Sequence, residues 1–172
     1  IGESGIGIYT KNGKTEFLNK GNITSVKNDA TGIYLENSQL RNEGNIILSG
    51  NGSVGIAAIG GSILTNTGTI TINGENSIGI YGNISSKIIN AGKIYINGND
   101  SIGVQLSNGA ILENTGEMIL AGGVQGSKDI TSGETGYILP EVINSGIIKI
   151  DEKFEINGLD LTIMVDPKTV RI

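Results

Sequence analysis

The sequence predicts an all-β protein, a right-handed, three-sided parallel β-helix with about 24 residues per coil. Three observations predict it: a phrase that returns at a fixed interval, apolar residues that alternate inside it, and corner residues at constant places. The stretch NTGTITINGENSIGIYG, Asn66 to Gly82, returns twenty-four residues later as NAGKIYINGNDSIGVQL, Asn90 to Leu106. The tripeptide Asn-x-Gly starts at Asn19, Asn42, Asn66, Asn90, Asn114 and Asn144, with spacings of 23, 24, 24, 24 and 30. A second anchor, Gly before an aliphatic residue, falls at Gly7, Gly32, Gly55, Gly79 and Gly103, with spacings of 25, 23, 24 and 24. Two ladders share one period, the mark of a repeat architecture. Composition agrees, with 28 Gly, two Pro and abundant Ile and Asn: Ile favours strands, while Gly and Asn favour turns.

Each coil holds three strands. The first follows the second anchor: Thr31, Val54, Ile78 and Ile102 precede its Gly, and Ile33, Ile56, Ile80 and Val104 follow it. The second runs into the anchor Asn, with Phe17, Leu40, Leu64, Ile88, Leu112 and Val142 two places before it. The third leaves the Asn-x-Gly corner. Its inward positions are Ile23, Ile46, Ile70, Ile94, Met118 and Ile148, then Ser25, Leu48, Ile72, Ile96, Leu120 and Ile150. Alternation of period two means one buried face per strand. Short strands repeated at constant length bury those faces only by winding about a common axis, at about 4.8 Å per coil. About seven coils are expected, a rod roughly 30–35 Å long. A propeller blade needs about 40 residues or more, so a 24-residue period is too short. Leu-rich half-repeats and a six-residue aliphatic beat are both missing.

The corners need residues that tolerate a left-handed backbone, and Gly and Asn do so best. An Asn at the same corner of every coil also hydrogen-bonds its amide to the Asn above and below. The expected ladder is Asn19, Asn42, Asn66, Asn90, Asn114 and Asn144.

The regular repeats span residues 1–150, with an insertion at about 122–141, GGVQGSKDITSGETGYILPE. Loops extruded from a solenoid face often carry binding residues; the plainer reading is a tolerated surface insertion. Residues 151–172 are expected to form an irregular coil or the edge of a next module. The chain opens in mid-phrase at Ile1, so it is expected to continue into further β-helix coils.

Charge and composition exclude several functions. A net charge of −5 and a pI near 4.7 argue against nucleic-acid binding. No apolar run approaches the roughly 20 residues that span a bilayer, so the segment is not membrane-embedded. No secretory leader opens the chain, so any such signal lies outside it. Without Cys there are no disulfides or thiolate metal sites, and without His no catalytic triad. No cofactor or metal is expected. The run NGNDS, Asn97 to Ser101, lacks the nonapeptide of calcium rolls and reads as a solvated turn. GIAAIGGS lacks the helix and Lys of a phosphate loop. Ice-binding threonine columns are absent beyond Thr67, Thr69 and Thr71.

The chain is expected not to be an enzyme. Glu36, Glu43, Glu75, Asp100, Glu113 and Glu117 fall at differing places in the repeat. Paired carboxylates remain only at Asp129 and Glu134, or near Asp151 and Glu152. Outward positions point instead to contact. Tyr9, Tyr34, Ala57, Tyr81 and Gln105 form one column, and Thr24, Ile47, Thr71, Tyr95, Ile119 and Lys149 another. Amphipathic Tyr on an exposed sheet suits a protein or sugar partner, although such residues also pack sideways on any sheet. The candidate partner-binding residues are Tyr34, Tyr81, Tyr95 and Ile119, with Lys128, Asp129 and Glu134 in the insertion.

The phrase N-x-G-x-I-x-I-x-G-x-x-S-x-G-I, as in NTGTITINGENSIGI, resembles the passenger repeats of large bacterial autotransporter adhesins. Its Ile- and Asn-rich style is that of fusobacterial outer-membrane autotransporters, and the likeness runs from Ser4 to Ile150. The resemblance implies a cell-surface passenger, tethered to the outer membrane through a C-terminal β-barrel translocator that this segment lacks. It implies an adhesin or stalk that meets a host or bacterial surface protein or glycan. A receptor- or glycan-binding module within the passenger, and a polysaccharide-active β-helix enzyme, are the rival readings. The repeat motif is structural, so no family binding residue carries over.

Overall fold

A computed structural model describes residues 1–120, 124–127, 141–150 and 163–165. Among them every regular element is a strand, and every strand pairing is parallel. Sheet A holds β1 (Ile6–Lys11), β4 (Thr31–Glu36), β7 (Val54–Ile59), β10 (Ile78–Gly82), β13 (Ile102–Ser107) and β16 (Val124–Ser127). Sheet B holds β2 (Glu16–Asn19), β5 (Gln39–Asn42), β8 (Ile63–Asn66), β11 (Lys87–Asn90), β14 (Ile111–Asn114), β17 (Glu141–Asn144) and β19 (Ile163–Val165). Sheet C holds β3 (Ile23–Ser25), β6 (Asn45–Leu48), β9 (Thr69–Ile72), β12 (Lys93–Ile96), β15 (Glu117–Leu120) and β18 (Ile147–Ile150). Successive strands go to successive sheets, which makes the chain a three-sided β-solenoid. The described strands form six rungs in sheets A and C and seven in sheet B, about five turns from first rung to sixth, against about seven coils expected.

The register is what the repeats require. Ile70 pairs with Ile46 and Ile94, and Asn66 with Asn42 and Asn90. The inward columns are sealed: Leu40, Leu64, Ile88 and Leu112 from sheet B meet Ile46, Ile70, Ile94 and Met118 from sheet C in one buried cluster. Burying such a side chain contributes about 1.5–3 kcal/mol, so each coil is stabilised by the same few contacts. Phe17 departs from the expected core column. It is 48% exposed because its coil is the first described, with a stacking neighbour on one side only.

The Asn ladder forms as expected. The Nδ2 of Asn19, Asn42, Asn66, Asn90 and Asn114 donates to the Oδ1 of the next Asn at 2.7–2.9 Å. The second hydrogen of each donates to the carbonyl of the Gly two residues on, at 3.0 Å for Asn42 and 3.2 Å for Asn66. Each buried amide is therefore satisfied within its own corner.

The reason for the glycines differs from the one expected. Neither the ladder asparagines nor the Asn-x-Gly glycines have a positive φ. A Cβ on Gly68 or Gly92 would instead overlap the carbonyl oxygen of Gly44 or Gly68 in the coil before. Close approach, not backbone handedness, demands Gly there. The left-handed conformation falls to other residues, among them Asp29, Gly52, Asn76 and Asp100 between sheets C and A.

The break after Asn114 is also resolved. Val104 pairs with Val124, twenty positions on, whereas Ile80 pairs with Val104, twenty-four on. Asn114 then pairs with Asn144, thirty on. Within the segment read as an insertion, Val124–Ser127 is thus a sheet A strand. The corner before it is shortened, and the extra length follows it at 128–140, outside the described residues. In the segment read as an irregular coil, β19 pairs with β17, and Val165 stands opposite Asn144.

Candidate functional site

The outer side of sheet A differs from the other two. From β4 to β13 the residues left exposed or half-buried include Thr31, Tyr34, Val54, Ile78, Tyr81 and Gln105. The only charge on these four strands is Glu36, and it pairs with Lys11 of β1 at 2.9 Å. Hydrogen bonding to the Glu36 carboxylate, and then its negative charge, raises the Lys11 pKa above its usual value. Sheet B and its corner carry paired charges as well, Lys87 with Glu113 at 2.6 Å and Arg41 with Glu43 at 3.0 Å, and sheet C bears Lys93 opposite Glu117 but no charge on β3, β6 and β9.

Register places Tyr9, Tyr34, Ala57, Tyr81 and Gln105 in one column across sheet A. The Tyr9 and Tyr34 rings lie 5.5 Å apart and tilted by 41°, and the Tyr9 hydroxyl donates to Glu36 Oε2 at 3.4 Å. Ala57 interrupts the column and is 6% exposed between its larger neighbours. Beyond it, the Tyr81 hydroxyl accepts from Asn83 Nδ2 at 2.9 Å. Asn83 Oδ1 in turn accepts from the Ile84 amide and from Asn108 Nδ2, both at 2.8 Å. Tyr81 is thus held by a residue that is itself fixed on three sides.

Tyr34 and Tyr81 therefore share a face. Tyr95 and Ile119, paired in register, sit half-buried on sheet C and do not join them. Lys128, Asp129 and Glu134, like Asp151 and Glu152, lie outside the described residues. Glu36 on β4, Glu43 in the corner after β5 and Glu113 on β14 stand apart, each beside a cation. A shallow groove follows the corner between sheets B and C, floored by Gly68, Gly92 and Gly116 and rimmed by Thr69, Lys93 and Glu117. It exists because Asn-x-Gly corners carry no side chain at Gly.

Sequence reasoning missed Asn83 and the Lys11–Glu36 pair. Reading the sheet A ladder four places past the Gly anchor, through Lys11, Glu36, Ile59 and Asn83, would have found them. It also missed the buried serines. The amides of Ser38, Ser53 and Ser77 donate to the Oγ of Ser62, Ser77 and Ser101 at 3.2, 3.1 and 3.0 Å. Their spacing of 24 was present in the sequence.

A parallel β-solenoid with a polar ladder at one corner defines a class of stacked-coil proteins. Within it, this chain belongs to the family described as BigA third pectate lyase-like domain, whose model matches residues 26–155. The match fits a bacterial surface protein of the adhesin type and carries no sign of a fusobacterial affinity. No curated protein and no solved structure matches the chain.

Proposed function

We propose that the chain is a segment of a surface-exposed passenger that attaches cells to one another or to a host, with sheet A as its contact face. The observation that carries this reading is the tyrosine column on a face whose charges, Lys11 and Glu36, pair with each other. A chain of net charge −5 keeps four consecutive strands of one sheet free of unpaired charge and lays tyrosines along them. Surfaces that exchange water for a partner lose charge and gain aromatic side chains. The stacked coils supply the rod, and backbone pairing between coils leaves a protease little extended chain to bind. The passenger is anchored outside the outer membrane through a translocator beyond this segment. In this reading the protein is not an enzyme; among the described residues its acids are dispersed over sheets and corners, with Glu36, Glu43 and Glu113 beside Lys or Arg, and turnover on a polysaccharide panel would overturn that.

Beads coated with the 172-residue chain test the reading. They are expected to adhere to bacterial or host cells, and a Tyr34→Lys, Tyr81→Lys double variant to lose adhesion while melting at the same temperature. A variant lacking residues 128–140 is expected to adhere as before. Its loss of adhesion would move the contact to that segment, and inert wild-type beads would sink the reading.

A further inference from the structure

We infer that the outer side of sheet C is a contact surface for a second copy of this chain, laid antiparallel to the first. At its middle, β12 and β15 point two side chains each away from the core. Lys93 and Glu117 stand in register in one outward column, Tyr95 and Ile119 in the other. Lys93 is exposed, and the other three are half-buried. Among the described residues Lys93 and Glu117 belong to no ion pair, whereas Lys11, Lys20, Arg41 and Lys87 each have a carboxylate partner. A cation and an anion, one rung apart on an open face, are complementary to any surface that presents them in the opposite order.

A second copy turned end for end presents that order. A two-fold axis running along the strands, between β12 and β15, reverses the rungs and keeps each column facing its own counterpart. Lys93 then meets Glu117 of the second copy, and Glu117 meets Lys93 of the second copy, the reciprocity of an isologous interface. In the same arrangement Tyr95 packs on Ile119 of the second copy, an aromatic side chain against an aliphatic one. One rung further out, Thr71 faces Lys149 of the second copy, so no like charges meet. Two rods set side by side in the same direction would bring each column against the other column. Lys93 would face Tyr95 and Glu117 would face Ile119, which leaves a carboxylate against an aliphatic side chain. Charge complementarity selects the antiparallel pair.

The size of the face sets the strength of the contact. The rungs β9, β12, β15 and β18 span roughly 14 by 13 Å, under about 200 Å². A stable protein interface takes about 800 Å² per partner. One pair of segments therefore associates weakly, and the chain is a monomer in dilute solution. The contact acts where many copies are held side by side, because linked weak contacts add up as avidity. A protein displayed over a surface, as proposed above, meets that condition. The self-contact uses a different face from the tyrosines of sheet A and does not depend on them.

Beads coated densely with the 172-residue chain, suspended without cells and followed by light scattering, test this. Wild-type beads are expected to clump. Lys93→Glu opposes carboxylate to carboxylate and Glu117→Lys opposes ammonium to ammonium, so beads carrying either variant alone are expected to stay dispersed. Mixed together, the two kinds are expected to clump with each other, and the double variant Lys93→Glu, Glu117→Lys to clump as wild type does. Both positions lie on the outer side of the sheet, and all these variants are expected to melt with the wild type. Beads carrying Tyr34→Lys, Tyr81→Lys are expected to clump as well. Wild-type beads that stay apart overturn the inference, as do single variants that clump undiminished or that fail to clump with each other. Dispersal of the Tyr34→Lys, Tyr81→Lys beads also overturns it, by moving the self-contact to sheet A. If wild-type beads still adhere to cells in any of these cases, the proposed function stands and only the self-contact falls.

Discussion

The two corners on either side of sheet B obey different rules. From sheet B to sheet C the chain always turns in Asn-x-Gly, and the distance never changes. Asn42 and Ile46 pair with Asn66 and Ile70, and across the break Asn114 and Met118 still pair with Asn144 and Ile148, all four residues apart. From sheet A to sheet B the distance holds only in mid-rod: Ala58, Gly82 and Leu106 stand five residues before Ile63, Lys87 and Ile111, whereas Leu35 stands four before Gln39 and Gly126 fifteen before Glu141. The turn is made by Asn37-Ser38, by Gly60-Gly61-Ser62 and by Asn83-Ile84-Ser85-Ser86, and the thirteen residues 128–140 take the same place in the last coil. The first corner is held from three directions at once. Its amide bonds to two neighbouring coils, its backbone carbonyl accepts two amides from the next coil, as Asn42 O does from Thr67 and Gly68, and its Gly touches the backbone before it. The second corner rests on fewer ties, so its length drifts.

The sharpest way to break the comparison is to lengthen each corner by one residue. An extra Ser between Thr67 and Gly68 pushes Gly68 off Gly44 and turns the strand behind it, exposing Ile70 and Ile72 and burying Thr69 and Thr71. A cost above about 4 kcal/mol is expected, enough to melt the coil or the whole chain. The same Ser between Gly60 and Gly61 enters a turn whose second Gly has open space around it, and closing a slightly longer loop costs well under about 1 kcal/mol. Urea unfolding of both variants, followed by circular dichroism, decides the matter. Equal losses would mean that the Asn corner is no more constrained than the other.

This asymmetry also explains how far the sequence could be read. The Asn corner is legible because each of its constraints dictates a residue type: an amide for the ladder, a hydrogen where backbones touch, an aliphatic side chain on each inward face. The three sheets, the register and the buried columns follow from these residues alone. What they do not disclose is why Gly is needed, since left-handed turns and close backbone contacts call for the same residue. The outer face was half legible. Tyr34 and Tyr81 were visible as a column, but the hold of Asn83 on Tyr81 joins a strand residue to the turn just past that strand and depends on rotamers. The split of the break into a short corner and a long one was hidden for a different reason. Irregular corners impose no residue type that a repeat search can follow.

A smaller effect is expected when the ladder is cut without changing length. Asn66→Leu removes both ladder bonds of one rung and leaves Asn42 Nδ2 and Asn90 Oδ1 buried without their partner. Unpaired buried groups of this kind cost about 1–3 kcal/mol. The exposed pair Asn97 Nδ2 to Asn73 Oδ1, at 2.9 Å, has the same chemistry one corner further on. Water replaces that bond, so Asn73→Leu is expected to lie within about 0.5 kcal/mol of wild type. Thermal melts of the two variants separate burial from bonding. If both lose the same amount, the ladder stabilises by stacking alone and its burial contributes nothing.

The smallest expected change is a gain, at the loose corner. Ile84 and Ser85 hold φ values of 50° and 56°, while in the coil before, Gly60 and Gly61 hold 65° and 73°. Gly61 donates its amide to the Ile84 carbonyl at 2.7 Å, so the two turns are stacked and adopt similar backbones. Glycine takes this conformation freely, whereas an L-residue with a Cβ gives up about 1–2 kcal/mol in it. The Ile84 side chain is 55% exposed and returns little of that through burial. Asn adopts the left-handed region more readily than Ile, as Asn37 and Asn108 do at the same corner of other coils. Ile84→Asn is therefore expected to stabilise the chain by about 0.5–1 kcal/mol, a rise in Tm of roughly 1–4 °C for a chain this long. A fall in Tm would show that the Ile84 side chain contributes packing that outweighs the strain, and that this corner is held more tightly than its variable length implies.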